Sequence, residues 1–143
     1  MMLVLLLLCA CSNKTAVPTK TCAEVVGEVV ASQPFEELAQ LKRAAIIAFL
    51  GIEDAWVSDA AMSIDASRAT SELVFVADAV DNAALDKLNA HIKAFHEQLS
   101  AEYGSYNPDE LPKLTSAIIE TQGLRLFFIV CGDAETARGR MKD

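Results

Sequence analysis

A chain of 143 residues with 52% apolar and 22% charged side chains is one ordinary domain in length, and its composition excludes a disordered polymer. The formal net charge of −8 repels nucleic acid and anionic lipid heads, so neither is an expected partner of the domain surface.

The chain begins MMLVLLLLCACS, with an unbroken apolar run over Leu3–Leu8. That run is too short to cross ~30 Å of hydrocarbon, which takes about twenty apolar residues. It fits the apolar region of a cleavable signal. Leu8-Cys9-Ala10-Cys11 resembles a bacterial lipobox, in which the final cysteine is lipidated and becomes the new N-terminus. The resemblance implies a signal peptide over residues 1–10, lipid attachment at Cys11, and tethering to the outer face of the bacterial cytoplasmic membrane. No Lys or Arg precedes the run, a departure expected of a truncated or misplaced start. Residues 11–20 then read as the lipidated cysteine and a flexible spacer, SNKTAVPTK, ahead of a single domain over 21–143. Lys14 and Lys20 lie next to the anchor, where positive charge is favourable.

Thr21-Cys22-Ala23-Glu24 fits a helix capping box, and Val25, Val26, Val29 and Val30 share one face until Pro34. A second helix is expected over about Phe35–Leu50, ended by Gly51. Trp56, Ser58, Ala60, Met62 and Ile64 alternate with Asp59, Ser63 and Asp65, which predicts a half-buried strand with a polar outer face. The run ELVFVA over Glu72–Ala77 is apolar on both faces and predicts a central strand. Asp81 or Asn82 caps the longest helix, about Ala83–Tyr103, whose stripe is Leu85, Leu88, Ile92, Phe95 and Leu99. Asn107-Pro108-Asp109-Glu110 reads as one helical turn. Two more strands follow, Leu114–Thr121 and Leu124–Cys131, joined by Gln122-Gly123, before a short helix capped by Asp133. The expected fold is α+β: a four-stranded, mainly antiparallel sheet with one long helix on one face and two N-terminal helices.

Chemistry-bearing sets are thin. Cys22 and Cys131 are candidates for a disulfide, or for two separate thiols buried as small hydrophobes. Pairing either with His91 or His96 would make a thiol-dependent enzyme. The two histidines are five apart, about 140° around a helix, which is not the i, i+4 spacing of a helical metal site. No phosphate loop, dinucleotide fingerprint or G-x-S-x-G is present, so no cofactor and no metal are expected. Tyr103, Tyr106 and Asn107, in or beside a loop with Gly and Pro, are the candidate contacts for a partner or ligand. The alternative for them is structural: one tyrosine plugs the core and Asn107 is a cap.

Several strings together carry a family resemblance: Leu50-Gly51-Ile52 followed by acids, Ser63 with a small-residue turn, Ala69-Thr70-Ser71-Glu72-Leu73-Val74-Phe75, and Tyr106-Asn107-Pro108-Asp109-Glu110 with Leu114 and Gly123. With the long helix between them, they resemble the small Gram-positive lipoproteins grouped as domain of unknown function 4358. That resemblance implies location and fold, and no activity. The expected function is a non-enzymatic, lipid-anchored binding module of the cell envelope. Its partner would be an envelope protein or a small ligand. The alternatives are a small-ligand accessory of a transporter and a thiol-dependent enzyme.

Overall fold

The computed structural model describes residues 17–142. The expected signal segment 1–10 and Cys11 lie outside them. Helix α1 (Cys22–Ala31) starts at Thr21, whose hydroxyl accepts the Glu24 amide while the Glu24 carboxylate accepts the Thr21 amide, the capping box read from sequence. Strand β1 (Leu38–Gln40) and helix α2 (Arg43–Leu50) follow. A single 3₁₀ turn leads into β2 (Val57–Asp65), which is followed by β3 (Leu73–Ala79). The long helix α3 (Asn82–Tyr106) is capped by Asp81, which accepts from the Ala84 amide. A 3₁₀ turn, Pro108–Glu110, runs into α4 (Leu111–Thr115). Strands β4 (Ile118–Gln122) and β5 (Arg125–Val130) and helix α5 (Ala134–Arg138) complete the order.

The sheet has five strands in the order β1-β2-β3-β5-β4, and every pairing is antiparallel. Three expectations are corrected here. The fifth strand is β1, which occupies the first half of the expected second helix. Leu38, Ala39 and Gln40 pair with Asp65, Ile64 and Ser63 along the open edge of β2. Backbone pairing with an available edge outweighs the weak helical preference of so short a segment. Likewise the expected strand from Leu114 begins only at Ile118, because Leu111–Thr115 continues the turn set by Pro108.

The third correction concerns the faces. Leu88, Ile92, Leu99 and Tyr103 of α3, with Ile46 and Leu50 of α2, pack on Met62, Ile64, Phe75, Leu126 and Phe128. Cys22, Val25, Val26 and Val29 of α1, with Ala137 of α5, cover Ala61, Val74, Val76, Phe127 and Ile129 on the opposite face. The sheet is therefore sandwiched rather than one-sided, and the polar outer face expected of β2 lies under α1. Asp59 accepts the Cys22 amide at 2.9 Å, and Ser63 is buried. Of the polar residues on that face, Asp59 bonds to the helix and Asp65 to the turn that follows β2.

Glycine at 51 takes φ +68°, which lets α2 end in a left-handed cap. Gly123 takes φ +57° in the tight β4–β5 hairpin.

One end of the sheet is pinned by Arg125, the first residue of β5. Its guanidinium is buried, grips both oxygens of Asp78 at 2.7 and 2.8 Å, and donates to the Lys20 carbonyl at 2.7 Å. Removing one partner of a buried pair strands the other charge. Arg125→Met is expected to lower the unfolding free energy by about 3 kcal/mol in denaturant titration. Adding Asp78→Asn should recover part of that loss.

Candidate functional site

The opposite end of the sheet is built on one carboxylate. Asp65, the last residue of β2, is 4% exposed. Its Oδ1 accepts the Ser67 hydroxyl and amide at 2.6 and 2.9 Å, and its Oδ2 accepts the Thr70 amide and hydroxyl at 2.8 and 2.9 Å. The Ser67 hydroxyl first, then the Thr70 amide and hydroxyl and the Ser67 amide, outweigh burial and hold the carboxyl down at about 2. The polar turn read from sequence is thus a carboxylate-centred knot.

The far end of α3 closes over this turn. Tyr103 is buried, and its hydroxyl reaches the carbonyls of Arg68 at 3.0 Å and Thr70 at 2.5 Å, sharing one proton between them. The Asn107 side-chain amide donates to the Ala69 carbonyl at 3.2 Å, and it makes no capping bond to the following turn. The buried Glu110 carboxylate accepts the Ser71 amide and hydroxyl at 2.8 and 2.9 Å. Lys113 bridges Glu110 and Glu72 at 3.2 and 3.1 Å. Burial pushes the Glu110 carboxyl up, but the Ser71 donors and the Lys113 ammonium prevail and hold it below its ordinary value. Burial likewise pulls the Lys113 ammonium down, and Glu72 and Glu110 together raise it above its ordinary value.

The three loop residues singled out from sequence therefore divide. Tyr103 and Asn107 hold the β2–β3 turn, and Tyr103 is not at the surface. Tyr106 is 68% exposed and stacks edge-on against Tyr103 at 5.8 Å.

Sequence reading missed Arg68. It sits at φ +61°, in the left-handed region, at a cost of roughly 1 kcal/mol for a side-chain-bearing residue. Asp65 and Tyr103 hold its backbone in place. Its guanidinium lies 4.9 Å from the centre of the Phe49 ring. Among the described residues it makes no hydrogen bond and no ion pair. Phe49 packs edge-on against Phe95 at 5.6 Å, and a cleft of about 200 Å³ opens between Phe49, Arg68, Phe95, Gln98, Leu99 and Glu102. A glycine or asparagine at position 68 would have signalled the positive φ; arginine gives no such signal.

The two cysteines are free and buried, so the candidate disulfide is not formed. Cys22 lies beside Asp59 and Asp78 at the Arg125 end, and Cys131 follows the last residue of β5. Six residues of strand separate those ends by roughly 17–20 Å, whereas a disulfide needs Cα atoms within about 7 Å. Burial pushes both thiols up, and at Cys22 the carboxylates of Asp78 and Asp59 add to it. His91 and His96 lie across the sheet from both thiols and face the backbone carbonyls of Leu50 and Leu114, each at 2.8 Å. No thiol–imidazole pair is assembled among the described residues. The ligand atoms of Cys22, Asp59 and Asp78 fall within 4.8 Å of one another. Asp59 accepts the Cys22 amide, and Asp78 is paired with Arg125.

A two-faced antiparallel α+β domain, with a knotted turn and an aromatic cleft at one end of its sheet, is the class these features define. The chain belongs to the family described as Domain of unknown function (DUF4358), which matches residues 31–131. The match takes in all five strands and the helices α2, α3 and α4, and stops at Cys131 before α5. No curated protein and no solved structure matches the chain.

Two outcomes test the knot. Tyr103→Phe removes the shared proton from two carbonyls and should cost about 1–3 kcal/mol in chemical denaturation, with the fold retained. The Asp65 carboxyl is lower in the folded chain than its ordinary 3.8, so its stabilisation is complete above that pH and is lost as pH falls through about 2. Asp65→Asn should therefore lower stability at pH 7 and flatten the fall in Tm between about pH 4 and 2.

Proposed function

We propose that this chain is a lipid-anchored, extracytoplasmic binding module of a bacterial cell envelope, Gram-positive like the lipoproteins it resembles, and that it acts without catalysis. The supporting sequence is Leu8-Cys9-Ala10-Cys11 behind its apolar run. A diacylglycerol on Cys11 supplies two chains, enough for firm attachment where one gives only marginal binding. A domain with a net charge of −8 then stands off an anionic surface on its spacer.

The observation that carries the binding half of this reading is polarity along the sheet. Lys20 is held at the Arg125 end, through its carbonyl and through a salt bridge of its side chain to Glu28 at 3.0 Å. Tyr106, Arg68 and the aromatic cleft lie at the Asp65 end. Nine residues of β2 separate the two ends, roughly 26 Å. A domain tethered through residues 11–20 would direct Tyr106, the one large exposed aromatic ring among the described residues, and the strained Arg68 away from the membrane. The cleft beside Arg68 also favours the second reading, a small-ligand accessory of a transporter.

Growth with radiolabelled fatty acid tests the anchor. Wild-type chain should carry label and sediment with membranes, and Cys11→Ala should lose both. Unlabelled wild-type chain in the cytosol, with residues 1–10 still attached, would contradict the proposal.

A further inference from the structure

We propose that the cleft beside Arg68 binds a small monocarboxylate with an aromatic or similarly flat apolar body. This goes beyond the envelope reading and does not depend on lipid at Cys11. The ligand class follows from the lining. The Arg68 guanidinium has five N–H donors, and among the described residues it spends them on no hydrogen bond and no ion pair. A planar fork of that kind matches a carboxylate in two parallel bonds. Its side chain is held against Phe49, 4.9 Å from the ring centre, so little freedom is lost on binding. Its backbone is fixed by the Asp65 carboxylate, whose hydrogen bonds organise the turn on either side of it, and by the Tyr103 hydroxyl.

The walls select the rest of the ligand. Phe49 and Phe95 meet edge-on and offer ring surface to a flat apolar group. A second hollow of about 350 Å³ adjoins the first, sharing Phe49, Phe95 and Gln98 with it, and leaves room for a longer body towards His91. Glu102 is the one acid lining the first cleft, and it accepts from the Gln98 side-chain amide at 3.2 Å. With one cation and one acid in its lining, the cleft has no excess positive charge to hold a phosphate or a dicarboxylate.

Phenylacetate and its neutral counterpart 2-phenylethanol are the probes, titrated into the labelled full chain and followed by NMR. Phenylacetate should shift the resonances of Phe49, Phe95 and Gln98, with a Kd in the millimolar range usual for a ligand of about ten heavy atoms. 2-Phenylethanol should bind about tenfold more weakly, and so should phenylacetate to Arg68→Gly. Glycine suits the positive φ, so that variant is expected to fold. If its amide spectrum is disturbed, Gln98→Trp, which fills the cleft from an exposed helical position, should abolish the shifts instead. The proposal is overturned by no shift at about ten times that Kd, by equal binding of the neutral probe, or by unchanged binding to a folded Arg68→Gly or Gln98→Trp.

Discussion

The Asp65 carboxylate is the constraint on which one whole end of this domain depends. It accepts four hydrogen bonds from Ser67 and Thr70, and so fixes a tight turn between two long strands. Around that fixed turn the far end of α3 can close, with Tyr103 on two carbonyls, Asn107 on a third and Glu110 on the Ser71 donors. Charged acceptors give bonds roughly twice as strong as neutral ones, and here the two carboxylates are themselves buried. The strained Arg68 backbone persists because its neighbours on both sides are over-determined. A rigid frame is what allows a long, flexible side chain to act as a preformed cation over an aromatic ring.

Much of the frame could be read from residues alone because its signals are local. The capping box at Thr21, the Asp81 cap, Gly51, Gly123 and the Leu88-Ile92-Leu99 stripe each fix geometry within a few residues. What escaped were contacts between distant segments. Leu38–Gln40 carries no strand signal of its own, and it is a strand because β2 leaves an edge open beside it. The polar side of β2 looked like a solvent face, since alternation cannot tell water from the amide of Cys22 as the partner of Asp59. Tyr103 and Asn107 drew notice as loop residues. Their bonds run back more than thirty residues to the β2–β3 turn, which no spacing rule announces. Arg68 gave no sign at all.

The same geometry separates this domain's reactive side chains from one another. Both thiols lie in the core between the sheet and the α1 and α5 layer on one face, and both histidines lie on α3 across the sheet. The buried ions at the Arg125 end are consumed in holding β5 to β3 and to the segment entering α1. At the Asp65 end, an exposed tyrosine, a cation and two phenylalanines supply the residue types that dominate binding energy at protein surfaces.

Rigidity of the β2–β3 turn is the premise beneath all of this, and amide hydrogen exchange measures it directly. The amides of Ser67, Thr70 and Ser71, which donate to Asp65 and Glu110, should exchange as slowly as those of the central strand β3. Exchange of these three at the rate of an open surface loop, while β3 stays protected, would contradict the account.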